Sequence, residues 1–286
     1  MQEPDKEEYF SSPNPPEIQL EVVKPTPDNP PWNSLVAIGT WIVSVFLILL
    51  IPTLFLLPYV VTLNPPIVEN DALVEFAKND PTAVLLQIIS IIPAHLLTLI
   101  LAWLVVTRFR KFSFRKTLGW ASGGIQWWYY PAILIGFLVI AATVSQFFPE
   151  QDNDLLRILR SSRTAVYIVA FLATFTAPLV EEVIYRGILY SAFQRTVGVP
   201  AAFLLVTFLF ALVHVPQYYP SYSTIFLLVL LSISLTALRV KSKNLLPCII
   251  LHTLFNGFQS VMLVVEPLFE KPELNGATAF IKHLLN

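Results

Sequence analysis

Charged residues are scarce in this sequence: they make up 13% of its 286 residues, whereas hydrophobic residues make up 55%. The charges are clustered and long uncharged runs separate them, which is typical of a polytopic membrane protein. An excess of positive charge is also missing, since the formal net charge is −1. Because nucleic-acid binding needs a basic surface, no nucleic-acid partner is expected.

Cysteine occurs once, as Cys248 within an apolar run, which excludes an internal disulfide framework. The chain also lacks a basic start followed directly by an apolar core. We therefore expect no secretory signal peptide, and a first apolar helix that stays in the protein as an anchor. Residues 1–33 are instead rich in proline and acidic side chains, which cannot bury enough apolar surface to offset chain entropy. They are predicted to form a disordered tail.

Seven stretches are apolar enough, and at about 20 residues long enough, to cross a bilayer core. The predicted fold is therefore all-α: a polytopic membrane protein with a bundle of about seven transmembrane helices, within a range of roughly six to eight. The predicted spans are 34–63, 82–107, 127–148, 164–194, 199–216, 223–238 and 245–265. Loops are expected at 69–80 and 150–163.

Lysine and arginine concentrate in two loops, at 108–116 and 239–243. Because these residues accumulate in cytoplasmic loops, both loops and the N-terminus are predicted to be cytoplasmic. The chain then divides into the disordered tail, N-terminal transmembrane helices at 34–160, a second transmembrane region at 163–265 and a short tail at 266–286. The predicted location is a bacterial plasma membrane, or a plastid or thylakoid membrane.

Two adjacent carboxylates and an arginine stand inside the fourth predicted span, at Glu181, Glu182 and Arg186. A charged group in hydrocarbon costs about 2.5 to 3.5 kcal/mol, so such groups indicate a functional site. Glu182 and Arg186 are four residues apart and can form an ion pair on one helix face. Glu181 is rotated by about 100° and lacks that partner, which makes it the better candidate for a base. Pro178 is predicted to kink the helix just before the acids.

Two later spans carry histidines with a side chain four residues away: Phe210 before His214, and Asn256 after His252. Together with Glu181 these groups are sufficient for hydrolysis at a carbonyl. Glu181 and His214 are predicted to hold and deprotonate a water molecule. His252 and Asn256 are predicted to donate hydrogen bonds to the resulting oxyanion.

In sequence order these groups read Glu181-Glu182-x-x-x-Arg186, Phe210-x-x-x-His214 and His252-x-x-x-Asn256. This series resembles the three motifs of the CAAX protease and bacteriocin-processing family, also called the ABI family of intramembrane proteases. The resemblance covers roughly residues 163–263. It implies that Glu181 and His214 activate water, and that His252 with Asn256 forms the oxyanion site. It also implies hydrolysis of a peptide bond in a membrane-bound or lipidated substrate, with the lipid bilayer as surroundings.

Metal binding is left open by the sequence. Glu181, His214 and His252 are a possible ligand set for zinc or another divalent ion. The H-E-x-x-H arrangement, which places two ligands on one helix turn, is missing. A site without a metal or other cofactor is favoured, and a catalytic divalent ion is the alternative. His95, in the second span, is predicted to pack rather than to act.

Two other functions compete with proteolysis. One is a non-catalytic membrane scaffold or immunity protein, because members of the family that the sequence resembles can protect or regulate partner proteins. The other is a secondary transporter that uses Glu181 as a proton site, although no internal repeat supports it.

Overall fold

A computed structural model of the protein describes residues 24–67 and 69–269. The regular elements of this part of the chain are all helices, which confirms the predicted fold class. In chain order they are α1 (Ser34–Val61), α2 (Asn70–Asn79), α3 (Pro81–Thr107), α4 (Phe114–Leu118), α5 (Tyr129–Phe147), α6 (Asp154–Ser161), α7 (Arg163–Phe171), α8 (Ala177–Glu182), α9 (Tyr190–Tyr218), α10 (Tyr222–Ser242) and α11 (Leu246–Phe269).

Six helical stretches in the described residues are long and apolar enough to cross a membrane. Five of them each correspond to one predicted span: α1, α3, α5, α10 and the part of α11 from Leu246 to Val265. The sixth is the 56-residue stretch Arg163–Tyr218. At 1.5 Å per residue it would be about 84 Å long, more than twice the thickness of a bilayer core. It contains both the fourth and the fifth predicted spans.

The chain reverses its direction inside this stretch, at Gly198. The backbone there has φ 82° and ψ 166°, a conformation that glycine adopts readily because it has no Cβ. Glu181 Oε1 and His214 Nε2 lie 3.9 Å apart on either side of the reversal. In one straight helix they would be about 50 Å apart. The two parts of the stretch are therefore antiparallel neighbours, as two separate spans would be.

Three connections that were predicted only as loops contain short helices. The loop predicted at 69–80 holds α2, the loop at 150–163 holds α6, and α4 overlaps the basic loop. Side-chain caps help to start two of them, since Asn153 accepts from Leu156 N at 3.0 Å and Ser113 caps α4. At the other end, α11 extends into the tail predicted from residue 266, and the remainder of that tail lies outside the described residues.

The disorder predicted for residues 1–33 is wrong for the part that the structure describes. Residues 24–33, here called the N-terminal strap, lie against the helices. Trp32 is buried and its Nε1 donates a hydrogen bond of 3.1 Å to the carbonyl of Ile188. Residues 1–23 lie outside the described part of the chain. The composition gave no sign of this contact, because its partner lies far along the sequence.

Two further contacts fasten the N-terminal strap. Asp28 Oδ1 accepts from Arg239 Nη1 at 3.1 Å, and the Pro30 carbonyl accepts from Arg195 Nη1 at 2.6 Å. The Arg239 side chain is almost fully buried. The N-terminal strap therefore neutralises a cation inside the helix bundle.

The helix that carries the two adjacent carboxylates is irregular on both sides of α8. π-Helical turns occupy Leu172–Thr176 before it and Val183–Leu189 after it. Pro178 lies in the first turn of α8, where a missing N–H is tolerated. The sequence predicted a kink at Pro178, and the structure instead has a π-helical turn directly before α8. Such turns are frequent at functional sites.

Candidate active site

Glu182 and Arg186 form an ion pair from which solvent is fully excluded. Arg186 Nη1 donates to Glu182 Oε1 at 2.9 Å, and both side chains are 0% exposed. The four-residue spacing predicted this contact, and it forms although Arg186 lies within a π-helical turn. A buried pair of this kind needs further hydrogen bonds to offset the desolvation of its charges.

The Arg186 guanidinium makes those bonds to α10. Nη2 donates to Ser232 Oγ at 2.8 Å and to the Ser232 carbonyl at 3.1 Å, and Nε donates to Thr236 Oγ1 at 3.3 Å. Its central carbon lies 4.5 Å from the centre of the Phe210 ring, a cation–π contact. Sequence reasoning missed Ser232 and Thr236. Their spacing of four residues within an apolar span was the available signal.

His252 joins this buried group from α11. Its Nδ1 lies 2.8 Å from Glu182 Oε1, and the residue is almost fully buried. An ionised carboxylate only accepts hydrogen bonds, so Nδ1 carries the hydrogen and the neutral ring has an unprotonated Nε2. The sequence assigned Glu182 to Arg186 alone. The contact between helices adds His252 as a second donor to the same oxygen.

Glu181 faces away from the buried pair. Its Oε1 lies 3.9 Å from His214 Nε2, and its Oε2 lies 3.8 Å from His252 Nε2. These separations are too long for direct hydrogen bonds, but they suit a water that contacts the carboxylate and an imidazole together. The Glu181 side chain is 22% exposed. The structure thus brings together Glu181 and His214, the predicted water-activating pair, with His252, which completes the ligand set of the metal alternative.

His214 is oriented by the backbone of its own helix. Its Nδ1 lies 2.7 Å from the carbonyl of Phe210, which can only accept, so Nδ1 carries the hydrogen and Nε2 faces Glu181. The rings of Phe210 and Tyr218 lie 4.9 and 6.4 Å from the imidazole centre. Phe210, which stands four residues before His214, thus packs beside the imidazole and restricts its rotation.

Two more polar contacts hold the π-helical turn in front of α8. Asn256 Nδ2 donates to the Ala173 carbonyl at 2.9 Å, and His95 Nδ1 lies 2.8 Å from Thr176 Oγ1. Asn256 was predicted to donate to an oxyanion, and this contact occupies one of its two amide hydrogens. His95 packs against the turn, as the packing interpretation of its role requires.

Glu181, His214 and His252 do not converge as metal ligands in this arrangement. Zinc ligands lie about 2.0 to 2.2 Å from the ion, so in a tetrahedral site their atoms are roughly 3.3 Å apart. Here each imidazole faces a different carboxylate oxygen at a longer distance. Residues 24–67 and 69–269 contain no group of three or more His, Cys, Asp or Glu side chains arranged to hold a metal ion. The metal-free site stays a prediction.

Comparison with protein families matches residues 163–258 to the family described as Rce1-like, type II CAAX prenyl endopeptidase Rce1-like. The match begins with α7 and ends within α11, so α1 to α6 and the N-terminal strap lie outside it. All the predicted site residues lie inside it. No curated protein and no solved structure matched the chain.

Proposed function

We propose that the protein is an intramembrane endopeptidase, because residues 163–258 match the family model described as Rce1-like, type II CAAX prenyl endopeptidase Rce1-like. It hydrolyses a peptide bond of a membrane-bound or lipidated substrate with water activated by glutamate and histidine. The observation that carries the proposal is the position of the Glu181 carboxylate, 3.8 to 3.9 Å from two imidazole Nε2 atoms.

Glu181 is the general base. A water that contacts its carboxylate also lies within reach of an imidazole Nε2, so the water is oriented while it loses a proton to Glu181. His214 Nε2 accepts a hydrogen bond from the second hydrogen of the water, which stays on the oxygen. This nitrogen is free to accept because the Nδ1–H of the same ring donates to the Phe210 carbonyl. The water oxygen then attacks the carbonyl carbon of the scissile peptide.

The oxyanion that forms needs hydrogen-bond donors. His252 Nδ1–H is already used on Glu182, so the neutral ring must first take up a proton from solvent at Nε2. The resulting imidazolium then donates from Nε2 to the oxyanion. Asn256 supplies its second amide hydrogen. When the tetrahedral intermediate collapses, the C–N bond breaks and the leaving amine takes the proton that Glu181 received. Glu181 is then ready for another water molecule.

The first test compares membrane peptides from cells that carry the wild type and the Glu181→Gln protein. Peptide products present only with the wild type are expected, because the amide cannot accept the proton of the water. Glu75→Gln is the matched control: it makes the same substitution at an exposed position on α2, and it should leave the products unchanged. Both variants must insert at wild-type levels.

Unchanged products from the Glu181→Gln protein would refute the catalytic assignment. If that protein also replaced the wild type fully in cells, the scaffold or immunity function would be favoured instead. Full replacement would show that the chain works without hydrolysis.

The metal question has its own measurement. We expect detergent-purified protein to keep its cleavage activity after chelation, because Glu181 and the imidazoles activate water without an ion. Metal content and activity are measured before and after chelation. Activity that is lost on chelation and restored only by added zinc would contradict the metal-free mechanism.

A further inference from the structure

Two basic loops that are far apart in the sequence are joined by backbone hydrogen bonds. One contains α4 and follows α3; the other links α10 to α11. Leu245 N donates to the Gly119 carbonyl at 2.9 Å and to the Leu118 carbonyl at 3.2 Å. Leu246 N also donates to the Gly119 carbonyl, at 3.2 Å. The relative position of the two loops is therefore fixed by the fold and does not depend on their side-chain charges.

Glycines allow the two loops to approach this closely. Gly119 has φ 81°, and a Cβ there would lie 2.7 Å from Asn244 Oδ1 and 2.9 Å from Asn244 Cα. Gly123 has φ 56°, and its Cβ would lie 2.1 Å from the Ser242 carbonyl oxygen. Both positions thus combine a left-handed backbone with a contact that a side chain would prevent. Asn244 is held as well, because its Nδ2 donates to the Ser242 carbonyl at 2.8 Å.

Between the loops lies an open cavity of about 470 Å³. Its lining contains three cations, Arg115, Lys116 and Lys243, together with the indole of Trp120 and no acidic side chain. The three cations are exposed, and none of them forms an ion pair with the part of the chain that the structure describes. The remaining lining residues are Pro27, Gly119, Ala121 and Asn244.

The cavity lies at the ends of membrane-crossing helices. α3 ends at Thr107, α10 ends at Ser242 and α11 begins at Leu246, so Lys243 is within a few residues of two spans. This is the level at which lipid phosphates meet a bundle, and tryptophan is enriched there. A guanidinium matches two phosphate oxygens at once, and lysines add charge without fixed geometry.

We propose that this cavity binds a phosphate group, the group carried by the headgroup of an anionic phospholipid. The same chemistry accepts free phosphate. The proposal does not depend on the hydrolysis proposed above, since none of the cavity residues belongs to the candidate active site. A bound headgroup would join the strap residue Pro27 to both loops.

The test uses the full-length protein in detergent and native mass spectrometry with titrated lipid. Phosphatidylglycerol is expected to bind more tightly than phosphatidylcholine. The triple variant Arg115→Gln, Lys116→Gln, Lys243→Gln should bind phosphatidylglycerol at least about tenfold more weakly. Each cation near the surface strengthens the binding of an anionic lipid by roughly fivefold.

The matched control removes three cations from the same basic loop that do not line the cavity: Arg108→Gln, Arg110→Gln, Lys111→Gln. It should keep the wild-type affinity. Thermal unfolding of both triple variants in detergent alone checks that each remains folded, and only folded variants are compared.

Equal loss of affinity in the two triple variants would overturn the proposal, because it would indicate a diffuse attraction to the whole basic face. Equal binding of phosphatidylcholine and phosphatidylglycerol by the wild type would overturn it too. A third arm adds inorganic phosphate. Displacement of phosphatidylglycerol by inorganic phosphate supports a site for the free anion, and retention of the lipid supports a site for the headgroup.

Discussion

The two sides of α8 differ more than the neighbouring positions of Glu181 and Glu182 suggest. On one side, the Glu182 carboxylate is inaccessible to solvent and one of its oxygens accepts from both Arg186 and His252. On the other side, the Glu181 carboxylate is partly exposed and its nearest imidazoles stand at 3.8 and 3.9 Å. The Glu182 carboxylate is therefore part of the packed interior, and the Glu181 carboxylate keeps hydrogen-bonding capacity for a water molecule or a substrate.

The four predictions that follow test this difference and are ranked by the expected change in the free energy of unfolding. The largest change is expected for Arg186→Met. It leaves the Glu182 carboxylate buried without its cation, which costs about 3 to 5 kcal/mol. Denaturant or thermal unfolding in detergent measures the loss.

Arg157→Met is the matched control for this variant, because the Arg157–Asp154 pair on α6 is partly exposed. An exposed pair contributes at most about 1 kcal/mol. If Arg186→Met were as stable as Arg157→Met, the stability of the fold would not depend on the buried ion pair between Glu182 and Arg186.

Gly187→Ala comes next. A Cβ at Gly187 would lie 3.1 Å from Leu118 Cδ2 and 3.4 Å from Leu245 Cδ2, so we expect overpacking to cost about 1 to 3 kcal/mol. Gly136→Ala, in α5, has no atom within 4 Å of the new Cβ and should be neutral or stabilising by up to about 1 kcal/mol. Unfolding midpoints of the two variants give the comparison. Equal midpoints would mean that the leucine side chains around Gly187 can move to accommodate the added methyl group.

Trp32→Phe should have a smaller effect, about 1 kcal/mol. The change removes the hydrogen bond from the indole to the Ile188 carbonyl and keeps most of the apolar contact. The control is Trp127→Phe, because Trp127 is highly exposed and the change there should be neutral. Thermal unfolding of both variants is the measurement. An unchanged unfolding midpoint in Trp32→Phe would show that the hydrogen bond from the N-terminal strap to Ile188 adds nothing to the stability of the fold.

The smallest change in stability is expected for Glu181→Gln, below about 1 kcal/mol, because this side chain is partly exposed and makes no direct hydrogen bond. Its cleavage rate should nevertheless fall by about 10²- to 10⁴-fold. Unfolding and product formation are measured on the same preparation. A strongly destabilised Glu181→Gln protein would contradict the distinction between the two carboxylates.

Much of the fold could be predicted because membrane-crossing helices need long apolar runs, and those runs are visible in the sequence. The short helices α2 and α6 were missed although both are amphipathic, because a charged segment of 8 to 10 residues between two spans is equally compatible with a loop. The N-terminal strap was missed for a different reason. Its composition argued for disorder, whereas Trp32 and Asp28 are held by partners more than 150 residues away.

The site was predictable to the extent that its contacts are local. Helical spacing identified the contact between Glu182 and Arg186, and the order of the motifs indicated which helices would contribute imidazoles. The bond from His252 to Glu182 depends on the relative register of two helices, which no spacing within one helix encodes. The donation from Asn256 to the Ala173 carbonyl likewise depends on the π-helical turn.

The N-terminal strap has a consequence for dissecting the chain. The family match at 163–258 suggests a portable module, yet Arg239 inside it is 1% exposed and its salt-bridge partner is Asp28 outside it. Excising the module would leave a desolvated cation without its counter-charge and would also remove α1 and α3. The segment that keeps its buried charges paired is therefore larger than the segment that the motifs define, and chimeras should carry residues 24–33 along with the motif helices.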